Sequence, residues 1–256
     1  MKFNIIKLPK VKSTNNYAQQ QIENKALKEG DVIFTINQEE GRGHGDNRWE
    51  SEPGKNLQIS IILEPHMIEA SNQFILTQIV SLAITDLIRK NIRDKKLKHE
   101  VRIKWPNDIY VGDFKIAGIL FQNFIKRNKI EYSVVGIGIN VNQNRFFSSA
   151  PNPISLIQAS NKSINITKLL KKLLNNIGTN YEKYTFEGNY TELKTSYINN
   201  LYRYNVRSNY SDITGAFMGQ IVDIDQYGRL IIRLDNGTEK KYDFKEIKFR
   251  HYPTTN

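Results

Sequence analysis

Between residues 101 and 141 the chain offers β-forming runs at 101–105, at 108–111 with 115–124, and at 131–141, with no helical pattern between them. Strands joined this closely pair antiparallel, because a parallel crossover needs a dozen or more residues. Gly112-Asp113 suits a tight hairpin turn. Further strands are predicted at 3–8, 31–38 and 56–63. A helix at 16–29 would start from the capping residues Ser13-Thr14-Asn15 and end at Gly30. Residues 67–91 have helical periodicity, with Phe74, Leu76, Ile79, Val80, Leu82, Ala83, Leu87 and Ile88 on one side. The run from Lys90 to Lys98 reads as that helix's end and the loop after it, and two more helices are expected at 166–186 and 190–201. After Arg203 the pattern changes to short strands at 216–225, 229–235 and 239–244, joined by Tyr227-Gly228 and Asn236-Gly237. The expected fold class is α+β: a mixed, largely antiparallel sheet with helices over 1–204, then a small β-barrel over 205–256.

The 256 residues, 39% of them hydrophobic, can bury a sizeable core. No run approaches eighteen consecutive apolar residues, so no membrane span is expected. The first residues lack the apolar stretch and cleavage site of a secretion signal. Cysteine is absent, which removes disulfides, thiolate metal sites and a cysteine nucleophile from consideration. Together these point to a cytoplasmic protein. The net charge of +11 could attract nucleic acid or a phosphate-rich substrate. The positive charges are scattered, however, and the chain is rich in Lys, Asn and Ile throughout, the bias an AT-rich genome imposes. Charge alone does not make it a DNA-binding protein.

Residues 39–54 are polar and carry Gly41, Gly43, Gly45 and Gly54, too long and glycine-rich for an ordinary turn. Close glycines let successive backbone N–H groups form an anion-binding concavity. Arg42 and Arg48 add charge suited to phosphate, and Trp49 offers a face on which a base can stack. No GK[ST] follows, so this is no Walker loop. The competing reading is a flexible surface loop.

Two further segments alter that balance. Lys104-Trp105-Pro106-Asn107-Asp108 is followed by Lys115-Ile116-Ala117-Gly118-Ile119-Leu120, and Gly136-Ile137-Gly138-Ile139-Asn140 is an apolar strand broken by two glycines. Interior strand glycines weaken a sheet unless something needs their space, here a ligand lying against it. Read blandly, Trp105 is a core aromatic and Lys104 and Lys115 a solvated strand edge.

In this order and at these separations, the GRG loop, KWPND, KxxGIL and GxGIN resemble the catalytic domain of biotin–protein ligases. Ser13-Thr14-Asn15, Gln38 and Glu52-Pro53-Gly54-Lys55-Asn56-Leu57 match family positions as well. The resemblance covers residues 10–145 well and returns as an SH3-like C-terminal barrel. It implies a class II synthetase-like catalytic domain. It also implies an ATP-dependent ligase that forms biotinyl-5′-AMP, releases pyrophosphate and passes biotin to a lysine of a biotin carboxyl carrier protein. The substrates and cofactors implied are ATP, biotin and Mg²⁺. Both steps concentrate negative charge, so catalysis would rest on positioning and electrostatic stabilisation.

By this resemblance Lys115, Arg42 and Lys104 are the catalytic candidates. Lys115 would contact the biotin carboxylate and then the acyl-phosphate oxygens, and Lys104 would support the triphosphate. Ser13, Thr14, Asn15 and Gln38 would bind the biotin head group, with Gly41, Arg42 and Gly43 around it and Gly118 and Gly136 leaving room along the channel. Arg42, His44, Trp49, Lys104, Asn107 and Asn140 would bind ATP, Trp49 by stacking on adenine. Asp108 would either help hold Mg²⁺ or orient Lys104.

One departure stands out. The family loop commonly has Arg or Gln where this chain has His44, and glycine where it has Asp46, which implies looser retention of the adenylate. The Ser-Thr-Asn motif begins at residue 13, which leaves no room for the helix-turn-helix of regulatory relatives, so no specific DNA partner is expected. His44, His66, His99 and His251 have no metal-site spacing. The rival readings are a lipoate–protein ligase, with the same fold and chemistry, and a non-catalytic nucleic-acid-binding protein. No membrane partner is expected, and both monomer and homodimer remain open.

Overall fold

The computed structural model describes residues 1–45, 47–147 and 152–250. A seven-stranded sheet has the order β1-β2-β3-β7-β6-β5-β4. Its strands are β1 (Asn4–Lys7), β2 (Asp31–Thr35), β3 (Leu57–Leu63), β4 (Val101–Lys104), β5 (Asp108–Val111), β6 (Phe114–Lys126) and β7 (Lys129–Ile139). Only β1 and β2 pair in parallel; the other neighbours are antiparallel. The expected mixed, largely antiparallel sheet is what the chain builds.

The two faces of the sheet differ, and β3 shows why. Leu57, Ile59, Ile61 and Leu63 alternate onto one face, with Val135, Ile137 and Ile139 of β7 and Ala117 and Ile119 of β6. Helices α2 (Phe74–Asn91) and α5 (Ile166–Phe186) cover that face, burying Leu76, Ile79, Leu169, Leu173 and Ile177 in the same cluster. The opposite face carries Gln58, Ser60, Gly136, Gly138 and Gly118. One end of it is closed by α1 (Thr14–Glu23), whose Ala18 packs with Ile33, Ile62 and Val134. The other end of that face is the floor of a cleft.

Several boundaries differ from expectation. Helix α1 begins two residues early and stops at Asn24, because Ser13 is the N-cap and its hydroxyl accepts from the Asn16 N–H. Helix α2 starts at Phe74, after a 3₁₀ turn at Ala70–Asn72. The lysine-rich run after it is not loop alone: Asp94 caps a short helix α3 (Lys95–His99). A short α4 (Leu156–Ser160) precedes α5, and α6 (Tyr190–Asn199) follows it.

The C-terminal unit is a five-stranded antiparallel sheet of order β11-β10-β9-β8-β12. It comprises β8 (Ser208–Asp212), β9 (Gly215–Ile224), β10 (Leu230–Leu234), β11 (Glu239–Tyr242) and β12 (Lys248–Phe249). Its core residues Tyr210, Ile221, Ile224, Leu230, Ile232 and Tyr242 belong to the same apolar cluster as the main sheet. Trp105 contributes to that docking: its indole N–H donates to the carbonyl of Gly228 at 2.8 Å. Among the described residues no helix is long and apolar enough to cross a membrane.

Candidate active site

The floor of the cleft is one row of residues across the sheet. Register places Gln58 opposite Gly138, Gly138 opposite Gly118, Gly118 opposite Asp108 and Asp108 opposite Lys104. Polar side chains stand at the ends and bare backbone lies in the middle. The cleft above has a volume of about 640 Å³.

Lys115 reaches this face through an irregularity. Ile109 pairs with Ala117, but Tyr110 pairs with Lys115, so Ile116 is an extra residue in β6. Strict alternation would send Lys115 to the helical face, opposite to Gly118. The bulge restores it to the cleft side, the use to which bulges beside active sites are often put. The Lys115 ammonium then lies 2.7 Å from Asp108 Oδ1. Pro153 bridges to the bulge, with Lys115 N–H donating to Asn152 O at 2.8 Å and Ile154 N–H to Lys115 O at 2.9 Å. Asp108 is therefore the partner of Lys115. Its expected role in orienting Lys104 is not what the geometry gives: Lys104 donates to the Tyr110 hydroxyl at 2.9 Å and lies over the rings of Tyr110 and Phe249. Burial lowers the Lys104 pKa below its ordinary value, opposed by Asp108 and reinforced by Lys115 and Arg203.

At the other end of the cleft, Gln38 accepts from both the N–H (2.9 Å) and the hydroxyl (3.1 Å) of Thr14. This ties the loop after β2 to the first turn of α1. Ser13 is buried beside them. Asn15 takes another part than lining the channel alone: its carbonyl accepts from Ser60 and its amide donates to Leu120 O and Gln122. A Cβ at Gly136 would clash with the Asn15 amide oxygen, so the space at Gly136 holds Asn15.

The glycine loop folds back on itself as a small hairpin. Arg42 bridges to Arg48, Gly43 N–H donates to Asn47 O at 2.7 Å and Trp49 N–H to Gly41 O at 2.9 Å. Gly41 is obligatory, since a Cβ there would clash with the Trp49 carbonyl. Arg42 and Arg48 are exposed at the mouth. The hairpin lays the Trp49 indole on the bare floor: Cβ atoms at Gly138 and Gly118 would approach it to 2.5 Å and 3.2 Å. The space at Gly118 is thus lined by Trp49 and the Lys115 stem. Lys115 Nζ lies 5.7 Å from the indole centroid. His44 packs edge-on against Phe244, centroids 4.1 Å apart. Burial, then Lys245, lowers its pKa. Asp46 lies outside the described residues, as does His251.

Asn107 and Asn140 also line the cleft. The Asn107 amide donates to Ile119 O at 2.6 Å, joining the KWPND turn to β6. Asn140 donates to Ile154 O at 3.1 Å, and its own carbonyl oxygen is buried with no hydrogen-bond partner among the described residues. The Trp49 indole N–H and the Gln58 carbonyl oxygen are in the same condition. Gln58 and Phe244 escaped the sequence reading. Gln58 had left a signal, a long amide inside the apolar run Leu57–Leu63. Phe244 had left none, because only the docked C-terminal sheet brings it to the cleft.

Among the described residues no group of three His, Asp or Glu could hold a metal ion. Among the described residues the carboxylates lining the cleft are Asp108, paired with Lys115, and Glu50, which accepts from the Phe147 N–H.

Residues 8–140, just over half the chain, match the model of the biotin/lipoate A/B protein ligase family. The chain belongs to that family. Residues 213–250 of this family member match the biotin protein ligase C-terminal domain. It is 27% identical over 238 residues to the bifunctional ligase/repressor BirA of Bacillus spizizenii, covering 91% of this chain and 70% of the relative. It is 35% identical over 147 residues to BirA of Escherichia coli, covering 57% and 43%. The biotin protein ligase from Aquifex aeolicus in complex with biotin and ATP shares the fold, with a TM-score of 0.78, 24% identity and coverage of 97% and 99%.

Proposed function

We propose that this family member is an ATP-dependent biotin–protein ligase. The observation that carries the reading is the bulge at Ile116, which turns Lys115 onto a glycine floor between an amide-lined pocket and the phosphate-binding loop. A ureido ring both donates and accepts hydrogen bonds, which suits the Ser13, Thr14 and Gln38 end. The valeryl chain then runs from that end of the cleft toward Lys115 and brings its carboxylate to the ammonium. The pattern of the relatives, several of them named as biotin ligases, supports biotin over lipoate.

In the first step a biotin carboxylate oxygen attacks the α-phosphorus of ATP, and the bond to the bridging oxygen breaks to release pyrophosphate. Lys115 holds the two anionic groups together, offsetting charge that builds on the phosphoryl oxygens. Lys104, Arg42 and the backbone of the 41–43 segment face the rest of the phosphate chain, while Trp49 and Asn140 take the adenine. In the second step a neutral lysine amine of the carrier attacks the acyl carbon. The amide forms, AMP leaves and the amine gives up a proton. The carrier would be the biotin carboxyl carrier protein of a biotin-dependent carboxylase.

Biotin-dependent exchange of labelled pyrophosphate into ATP tests the reading, with lipoate as parallel substrate and Lys115→Ala as control. Exchange with biotin alone, lost in the variant, is the expected result. Exchange with lipoate only would transfer the chain to the sister activity, and exchange with neither would remove the adenylating function.

A further inference from the structure

The glycine loop and the C-terminal sheet meet through two adjacent pairs of residues. The His44 ring stands edge-on to Phe244 at 4.1 Å. A Cβ at Gly45 would lie 2.6 Å from the Lys245 ammonium, so the Lys245 side chain rests on that glycine. Phe244 itself lines the cleft and lies 6.1 Å from the Trp105 ring. It therefore touches the loop on one side and the KWPND turn on the other. Lys245 adopts φ +72, a left-handed conformation unfavourable to a lysine. Strain of this kind persists where surrounding contacts hold it, and it concentrates at functional segments. The connection from β11 to β12 is thus shaped to present Phe244 and Lys245 to the loop.

The geometry points to an interdomain clasp: Phe244, with Lys245 beside it, is a positioning residue that holds the glycine loop over the bound adenylate through His44. Among the described residues the hairpin's backbone hydrogen bonds run within it, through Gly41–Trp49 and Gly43–Asn47. At its tip the described contacts with another element are those with Phe244 and Lys245. The sequence alone implied that His44, in place of the family's Arg or Gln, loosens the loop's hold on the adenylate. The clasp predicts the opposite, because the imidazole packs edge-on against Phe244. Residence of the intermediate then depends on the C-terminal sheet, although that sheet supplies no group to the chemistry.

An aromatic pair of this kind shifts an equilibrium by roughly 2- to 10-fold. The test is a double-mutant cycle of His44→Ala and Phe244→Ala, with Phe244→Tyr as the conservative variant. Amide hydrogen exchange across residues 41–49, without nucleotide, reads the loop directly. Each alanine variant is expected to speed loop exchange by about that factor, the double variant no further, and Phe244→Tyr to stay near the parent. Exchange in β6 and β7 should be unchanged, which separates loop release from loss of fold. The kinetic arm, which rests on the adenylation reading, measures dissociation of preformed biotinyl-adenylate. It should accelerate in parallel while biotin binding without nucleotide stays constant. Unchanged loop exchange in Phe244→Ala, or effects that multiply in the double variant, would overturn the clasp. Should Phe244→Ala lose its fold, His44→Ala and Lys245→Ala decide by the same exchange criterion. If the parent protein forms no adenylate, the adenylation reading fails while hydrogen exchange still decides the clasp.

Discussion

Lys115 and Asp108 stand 2.7 Å apart on neighbouring strands, each about a quarter exposed, and both face the floor of the cleft. Asp108 holds the ammonium where the carboxylate and phosphate of the substrates would meet. Removing Lys115 takes away the ion-pair partner of Asp108. Lys115→Ala should lower the rate of adenylate formation by roughly 10²- to 10³-fold, the usual cost of losing one preorganised transition-state donor. Lys115→Arg should recover only part of it, since a planar fork does not replace a compact ammonium. Single-turnover formation of biotinyl-adenylate checks both. A loss confined to KM would show that Lys115 merely binds.

Gln58 gives a second prediction. It is 1% exposed, lies opposite Gly138 and has a carbonyl oxygen with no hydrogen-bond partner among the described residues. Beside it lie the unpartnered indole N–H of Trp49 and, two residues beyond Gly138, the Asn140 carbonyl. A base with an exocyclic amine and a ring nitrogen would satisfy such a set. Gln58→Leu should weaken ATP binding by about 1–3 kcal/mol, the worth of a buried hydrogen-bonding group. Biotin binding without nucleotide should be retained. Calorimetric titration of each substrate distinguishes the outcomes, and an equal loss for both would place Gln58 in the scaffold.

Lys104 predicts a pH dependence. Burial lowers its pKa, so it loses its charge at a lower pH than a free lysine does. Triphosphate binding needs the charged form. The KM for ATP should therefore rise on the alkaline side, with an apparent pKa below the ordinary lysine value of 10.5. In Lys104→Arg that limb should disappear, because guanidinium stays protonated throughout. A KM profile from neutral to alkaline pH with the two proteins side by side makes the comparison.

Trp105 bears on stability. Trp105→Phe keeps much of the apolar surface but leaves the Gly228 carbonyl without the indole N–H that it accepts. An unpaired buried carbonyl costs about 1–3 kcal/mol. Chemical denaturation should show that loss, and hydrogen exchange should place it at the junction with the C-terminal sheet. An unchanged midpoint would mean that the junction is held by apolar contact alone.

Much of the main sheet was legible because its strands alternate so plainly. Leu57, Ile59, Ile61 and Leu63 are apolar at every second position, and β5 to β7 are joined by turns too short for any other pairing. The motif residues Lys115, Thr14, Gln38, Trp49 and Asn140 all line one cleft. What stayed hidden depends on tertiary partners. Nothing in the run from Lys115 to Leu120 announces that Ile116 is the extra residue, since that is a property of the pairing with β5. The strands β8 and β12 were missed because Ser208–Asp212 is polar and Lys248–Phe249 very short. Asn15 could not be assigned to Gly136 without knowing that α1 crosses β7 there.

The bare floor has a consequence for how such a cleft can change. At Gly118, Gly136 and Gly138 the strands themselves offer only main chain on this face, and its contour is set by ladder hydrogen bonds that every strand of the sheet shares. No substitution can enlarge the space at those positions, because glycine already has no side chain to remove; every alternative residue only adds atoms against Trp49 or Asn15. New ligand shapes must then be accommodated from above, by the loop and the residues that hold it. The sheet acts as a fixed gauge, and the adjustable jaw is the short segment between Gly41 and Trp49.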